Sequence, residues 1–193
     1  MARTKDFDET EVLNKAICLF WHKGYNGTSM QDVVDTLGIS RSSLYDTYGD
    51  KHTLYLKALE SYQLSAEGEL NRIVSDTVSA KETLKGLMEW VVYNLVNDKD
   101  HKGCFMVNAK IETAATDPEV HEVVCRAEQQ VVDAFYKTIK AGQDKGEIAN
   151  KQDPNMLANF MVNTVNGMRV TAKSVTDKSF FDDIISTTLK VLD

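Results

Sequence analysis

The sequence predicts an all-α fold of about nine helices, three of them in an N-terminal module and the rest in a larger body. Three observations carry this expectation. Apolar residues recur at three- and four-residue spacing along most of the chain, with few alternating β-branched runs. The only two prolines both follow aspartate, at Asp117-Pro118 and Asp153-Pro154, where a cap residue precedes proline at the first helical position. Glycine is sparse, ten in 193 residues, and Gly24 and Gly38 sit where helices need to stop. With 42% hydrophobic residues the chain can build a core, so global disorder is not expected.

The first helix is expected from Asp8 to Lys23, with Asp8 and Glu11 forming an acidic cap pattern and Gly24 ending it. Val12, Ala16, Leu19 and Phe20 form its inward stripe. Ahead of it, Ala2 to Lys5 carries Arg3 and Lys5, an arm that either reaches a phosphate or minor groove or frays. A second helix follows the cap candidates Thr28 and Ser29, with Val33, Val34 and Leu37 at helical spacing. Gly38 suits a left-handed turn, and Ser40 caps a third helix of about Arg41 to Thr47. Leu44 and Tyr48 point inward on that helix, leaving Arg41, Ser42, Ser43 and Tyr45 on its outer faces. Two helices joined by a tight glycine turn, the second polar outward, describe a helix-turn-helix. At 1.5 Å per residue the short helix is about 11–12 Å long, which suits a B-DNA major groove about 12 Å wide.

A fourth helix runs from Asp50 or Lys51 to Asp76 on the stripe Leu54, Tyr55, Ala58, Leu59, Tyr62, Ala66, Leu70 and Ile73. It spans about 37 Å and joins head to body. The domain boundary falls within it, between residues 1–52 and 53–193. Further helices are expected over Lys81–Asn97, Cys104–Ala115, Pro118 to about Ala141–Gly146, Pro154–Lys173 and Phe180–Leu192, with a polar loop from Asp98 to Gly103. The last two are unusually apolar. Leu157, Phe160, Met161, Val165 and Met168 cover one side of the first, and Ala158, Val162 and Val170 extend it. Phe180, Phe181, Ile184, Ile185, Leu189 and Leu192 do the same for the second. Helices apolar over most of their circumference need partners on several sides, either a second copy or the rest of the same chain.

Charge qualifies the nucleic-acid reading. The chain carries −7 overall, and residues 1–55 hold six basic against eight acidic side chains, a balance of −2. Basic patches supply most non-specific affinity, so random DNA should bind weakly. Asp46, on the third helix, either accepts from a cytosine amino group or repels the backbone. No apolar segment opens the chain, and the longest apolar run, Ala16 to Trp21, is too short to span a bilayer. A cytoplasmic protein with no membrane partner is expected. Cys18, Cys104 and Cys125 are odd in number and far apart, which argues against a disulfide framework.

Over about residues 8–55 the sequence resembles the DNA-binding module of TetR-type regulators. The matching positions are Ala16, Phe20, Gly24, Tyr25, the Thr28-Ser29 start, the Gly38-Ile39-Ser40 turn, Leu44-Tyr45, Tyr48, Lys51 and Leu54. Val34 and Ser42 depart from it, standing where Ala and Gly are common. The resemblance implies a homodimer paired through the last two helices as a four-helix bundle. It also implies a repressor that releases a palindromic double-stranded DNA operator when a small molecule enters the body. Thr28, Ser29, Gln31, Ser40, Arg41, Ser42, Ser43, Tyr45, Tyr48 and Lys51 are the expected DNA-facing set. Arg41 suits a bidentate contact to guanine. Thr28, Ser40, Tyr45 and Lys51 suit phosphates, helped by amides at helix starts. Tyr48 suits the core equally well, and Ser40 a pure cap.

An effector pocket is expected to draw on Tyr62, Trp90, Tyr93, Asn94, Phe105, Asn108, Glu112, Gln129, Phe135, Tyr136, Met161, Asn163 and Met168. Aromatics with a few amides and carboxylates suit a mostly apolar ligand, although the same spacing suits plain core. Asn108 and Glu112 lie one turn apart, and polar groups on a buried face need partners. Glu112 answers to a cationic effector or to solvent. Cys104, at a helix start beside Lys99, His101 and Lys102, has the setting of a reactive thiol that senses oxidants or electrophiles. It also suits a small buried residue. His101/Cys104 and His121/Cys125 are spaced for a soft metal, but no CxxC or clustered histidine run supports one, so neither metal nor cofactor is expected. No catalytic triad, phosphate loop or dinucleotide fingerprint occurs, and catalysis is not expected. The competing class is a helical small-molecule- or metal-binding protein with weak or lost DNA binding. The −2 balance favours it, and the intact 28–51 pattern opposes it.

Overall fold

A computed structural model describes residues 7–76 and 79–193. The arm bearing Arg3 and Lys5 lies outside the described residues. The elements are α1 (Glu9–Lys23), α2 (Met30–Leu37), α3 (Arg41–Tyr48), α4 (Lys51–Asp76), α5 (Ala80–Val96), α6 (Phe105–Glu112), α7 (Pro118–Asp144), α8 (Pro154–Thr171) and α9 (Lys178–Leu189), then a 3-10 turn at Lys190–Leu192. No strand occurs among the described residues.

Local chemistry sets most of the boundaries. The Asp8 carboxylate accepts from the Thr10 amide at 2.8 Å and the Glu11 amide at 3.4 Å, so α1 begins one residue later than expected. Asp117 and Asp153 cap α7 and α8, each with proline in the first turn. Two helices differ from expectation by more than a residue at an end that local hydrogen bonds explain. α6 is shorter, because Cys104 is its N-cap and the Thr113 and Ala114 amides both return to the Ala109 carbonyl. α9 starts earlier, because Asp177 accepts from the Ser179 amide at 3.0 Å and admits Lys178 to the first turn.

Two apolar cores share the long helices. The first joins α1, α2, α3 and the opening half of α4 to Phe105 and Ala109 of α6 and to Val120, Val123 and Val124 of α7. The second packs α5, α7, α8 and α9 around Met88, Phe135, Ile139, Met161 and Phe181. Packing therefore does not divide at residues 52/53. Leu54, Tyr55, Ala58 and Leu59 are buried with the head, and α6 is wedged against both units.

The apolar circumference of α8 splits into two faces. Leu157, Ala158, Met161, Val162, Val165 and Met168 are buried within the chain. Met156, Phe160 and Val170 point outward at 63%, 48% and 46% exposure, joined by Phe180 of α9 at 42%. Helical spacing aligns Met156, Phe160, Asn163, Gly167 and Val170 along one outer ridge.

Candidate nucleic-acid interface and effector cavity

The head presents α3 as a capped, exposed rod. The Ser29 hydroxyl accepts from the Asp32 amide at 3.1 Å, and the Asp32 carboxylate accepts the Ser29 amide in return at 2.9 Å, a reciprocal cap for α2. Lys23, 2.6 Å away, and then the Ser29 hydroxyl and amide hold the Asp32 carboxyl far below the usual carboxylate range. α2 ends at Gly38, whose φ of 67° and ψ of 26° are left-handed. Ser40 then caps α3 by accepting from the Ser43 amide at 3.1 Å. Leu44 and Tyr48 anchor α3 to the core, while Arg41, Ser42, Tyr45 and Asp46 are exposed along its outer side. Arg41 has no ion pair among the described residues, which leaves its guanidinium open to a base edge or phosphate.

The body holds a partly open cavity of about 710 Å³ lined by α4, α5, α7 and α8, with the N-terminal end of α6 on one side. That volume lies within the range of small-molecule sites. Its apolar walls include Leu70, Leu87, Val91, Val131, Phe135, Val162 and Val165, and both tryptophans of the chain, Trp21 and Trp90, line it. Tyr62, Tyr93, Asn94, Gln63, Gln130, Asn166 and Arg169 supply polar groups. The Tyr62 hydroxyl lies 3.9 Å from the Cys104 sulfur. Burial pushes this phenol far above its ordinary value, with Arg169 and the Phe105 amide pulling the other way.

One helix touches both places. The N-cap of α6, Cys104, lines the cavity. At its other end the Glu112 carboxylate accepts from the Tyr25 amide at 3.1 Å and the Asn26 amide at 2.8 Å. Those amides belong to the turn between α1 and α2. Gly24 permits this approach: its φ is 76°, and a Cβ there would stand 2.7 Å from the Glu112 carboxylate. Aromatic contacts run the same way, from Trp21 and Tyr62 at the cavity through Phe105 to Tyr55 and Tyr25.

Two family models match this architecture. The model for the TetR family of bacterial regulatory proteins covers residues 12–58, and that for the tetracyclin repressor-like C-terminal domain covers residues 80–187. The HTH-type transcriptional regulator YezE of Bacillus subtilis (strain 168) is 34% identical over the full length of both chains. The chain belongs to the TetR family. Among other relatives, the repressor ComR of Escherichia coli (strain K12) is 25% identical, over 98% of this chain and 90% of its own. A solved structure of the TetR-family regulator CifR, a cysteine mutant complexed with 26-bp operator DNA, superposes with a TM-score of 0.89 at 23% identity, covering both chains completely.

In this TetR-family chain the residues expected to face DNA separate into two groups. Ser29, Gln31, Ser40, Arg41, Ser42 and Tyr45 lie on the exposed parts of α2, α3 and their caps, although the Gln31 amide already donates to Asp35 at 2.8 Å, and Ser43 is half-buried with its hydroxyl 2.9 Å from that of Ser40. Three others are committed inside the fold. Thr28 is 2% exposed and its hydroxyl donates to the Gly24 carbonyl at 2.6 Å. The Lys51 ammonium donates to the Tyr25 and Thr28 carbonyls at 2.9 and 2.7 Å and lies over the Tyr25 ring. Tyr48 is buried and its hydroxyl donates to the Glu9 carbonyl at 3.3 Å. These side chains brace the turns from behind rather than offering themselves to phosphate.

The cavity gathers Tyr62, Trp90, Tyr93, Asn94 and Phe135 of the expected pocket set, and Cys104 with them. Phe105, Met161 and Met168 are core, and Tyr136 packs half-buried against the body. Asn108 donates to the Lys102 carbonyl at 2.8 Å and accepts from Lys173 at 3.0 Å, so its polar groups are spent on a loop and a helix end. Gln129 and Asn163 are exposed on outer surfaces, and Glu112 serves the head. Sequence reasoning missed Trp21, Gln63, Gln130 and Arg169 at the cavity. The two His/Cys pairs do not assemble a metal set. Among the described residues the only close trio of such groups is His52, Asp117 and Glu119, where the imidazole turns Nε2 to Asp117 at 2.7 Å and Nδ1 to Glu119 at 3.7 Å.

Proposed function

We propose that this regulator acts in the cytoplasm as a homodimeric repressor that leaves its operator when a small molecule occupies the α4–α8 cavity. The observation that carries the reading is α6. Its first end lines the cavity and its last residue holds the α1–α2 turn through two amide hydrogen bonds. A ligand that shifts α6 therefore changes the setting of α3, and couplings of this kind amount to about 1–3 kcal/mol. The outward ridge Met156, Phe160 and Val170, with Phe180, supports pairing through α8 and α9, since an exposed apolar face of this kind marks an interaction site. Operator recognition is carried on the name of ComR, a transcriptional repressor, and on the CifR complex, which holds operator DNA. Fluorescence anisotropy with the duplex flanking the protein's own gene, at two salt concentrations, tests the reading. Tighter binding than to a scrambled duplex at both salts supports it, and equal binding removes it.

A second mode of sensing rests on Cys104. It is 6% exposed yet lines the cavity beside Tyr62. An electrophilic alkene entering there would accept the sulfur at its β carbon and take the thiol proton at its α carbon. N-ethylmaleimide labelling of the native protein tests this mode. Release of DNA in step with Cys104 modification supports it, and an unmodified Cys104 at neutral pH removes it.

A further inference from the structure

Of the three basic side chains that line the cavity, two are paired with carboxylates. Arg72 pairs with Glu69 at 2.9 Å, and Lys110 pairs with Glu128 at 2.7 Å. Glu67 accepts from the Gln130 amide at 3.4 Å, and Gln130 in turn accepts from Gln63 at 2.6 Å. Arg169 has no carboxylate within ion-pair distance among the described residues. Its one hydrogen bond runs from Nη1 to the Asn166 side-chain carbonyl at 3.3 Å. A guanidinium has five N–H donors in a planar fork, so Arg169 lines the cavity with several donors that have no protein acceptor among the described residues. Nearby, the Tyr62 hydroxyl donates to the Cys104 sulfur, a weak acceptor at 3.9 Å, and has the Phe105 amide beside it. α6 begins there without a side-chain cap. Arg169, the Tyr62 hydroxyl and the start of α6 gather donors at this end of the cavity, where the Glu128 carboxylate is already engaged by the Asn166 amide at 3.0 Å and by Lys110, while Leu70, Val131, Phe135 and Val162 supply apolar wall.

We propose that the effector is a compact amphipathic carboxylic acid whose carboxylate is held by Arg169 and the Tyr62 hydroxyl, with its hydrocarbon or aromatic body among Leu70, Val131, Phe135 and Val162. The inference rests on the ligand-responsive reading above and names the chemistry of that site. Fork-to-carboxylate pairing is bidentate and geometrically selective, which a neutral or cationic head group does not reproduce. An unpaired, half-buried cation is costly, and an anionic ligand relieves that cost.

Both tryptophans line the cavity, so intrinsic fluorescence reports occupancy directly. The full-length protein is titrated with 4-phenylbutyrate, 4-phenylbutyramide and 4-phenylbutylamine, which share a body and differ in head group. The acid is expected to quench with at least about tenfold tighter affinity than either analogue. Arg169→Gln is expected to lower the acid to the affinity of the amide, and Arg169→Lys to keep part of the preference. Should Arg169→Gln fail to fold by circular dichroism, Tyr62→Phe is expected to weaken the acid several-fold and leave the amide unchanged. Equal binding of acid and amide, preference for the amine, or no quenching by the acid at millimolar concentration would overturn the proposal. Anisotropy of labelled operator in the same samples separates it from the broader reading. Release by the amide sinks the acid preference and keeps ligand response, whereas acid binding without release does the reverse.

Discussion

The Glu112 carboxylate at the end of α6 accepts the Asn26 amide hydrogen at 2.8 Å across 86 residues of chain, and the Tyr25 amide shares the same carboxylate at 3.1 Å. These two bonds satisfy donors in the turn that sets the angle between α1 and α2. Glu112→Ala leaves a part-buried amide without its acceptor, at a cost of about 1–3 kcal/mol. Thermal melts are expected to show that loss, together with weaker operator binding. Gly24→Ala, whose new Cβ would crowd the same carboxylate, is expected to behave alike. A stable Glu112→Ala protein with unchanged operator affinity would separate α6 from the head.

Lys51 gives a sharper contrast, because its ammonium faces inward to two carbonyls. Lys51→Met should lower stability while leaving the slope of log affinity against log salt unchanged. A lysine on a phosphate would instead reduce that slope by about one. Salt titration of operator binding for the two proteins distinguishes these outcomes.

What the sequence made readable follows the range of the interactions involved. Ser29, Gly38 and Ser40 act within three or four residues of themselves, so the helix-turn-helix could be read locally. Asp117-Pro118 and Asp153-Pro154 marked two helix starts for the same reason. Lys51 and Thr28 carry the right chemistry for phosphate, and only the packed turn shows them facing inward. Glu112 has partners that no spacing rule connects to it. Arg169 reaches the cavity because α8 packs along α7 and against α5, which periodicity along a single helix does not encode. Tyr62, Trp90 and Phe135 could be named because large aromatics tend to line cavities, but Phe105 shares that character and fills the core, as do the apolar Met161 and Met168.

Arg41 is exposed at the start of α3 without an ion pair among the described residues. Arg41→Ala is expected to cost about 1–3 kcal/mol on the specific operator and much less on scrambled DNA. Competition binding measures both. Equal losses would assign Arg41 to the backbone.

The ridge on α8 places Phe160 at 48% exposure among apolar neighbours. Phe160→Glu in both copies of a dimer would bury like charges close together. Sedimentation is expected to show monomers with unchanged helicity, and operator affinity should fall with loss of the second half-site. An intact dimer would move the interface elsewhere.

Asp117 caps α7 and meets His52. Burial opposes its charge, but the Val120 amide and His52 outweigh that, and its carboxyl titrates below the ordinary range. A depressed folded-state value contributes stability that is complete above the unfolded carboxylate pKa of about 4 and is lost as pH falls through the folded value. Asp117→Asn is therefore expected to flatten the acid fall in stability below about pH 4, as followed by urea titration. Parallel curves for the two proteins would show no such contribution.

In the proposed repressor, two copies of α3 held by α8–α9 pairing read one operator. Hydroxyl-radical footprinting of the duplex flanking the gene tests it most directly. Two protected patches related by a twofold axis and about 34–36 Å apart, or a variation on that spacing, are the expected result. A single patch, or protection no greater than on scrambled DNA at the same salt, would contradict it.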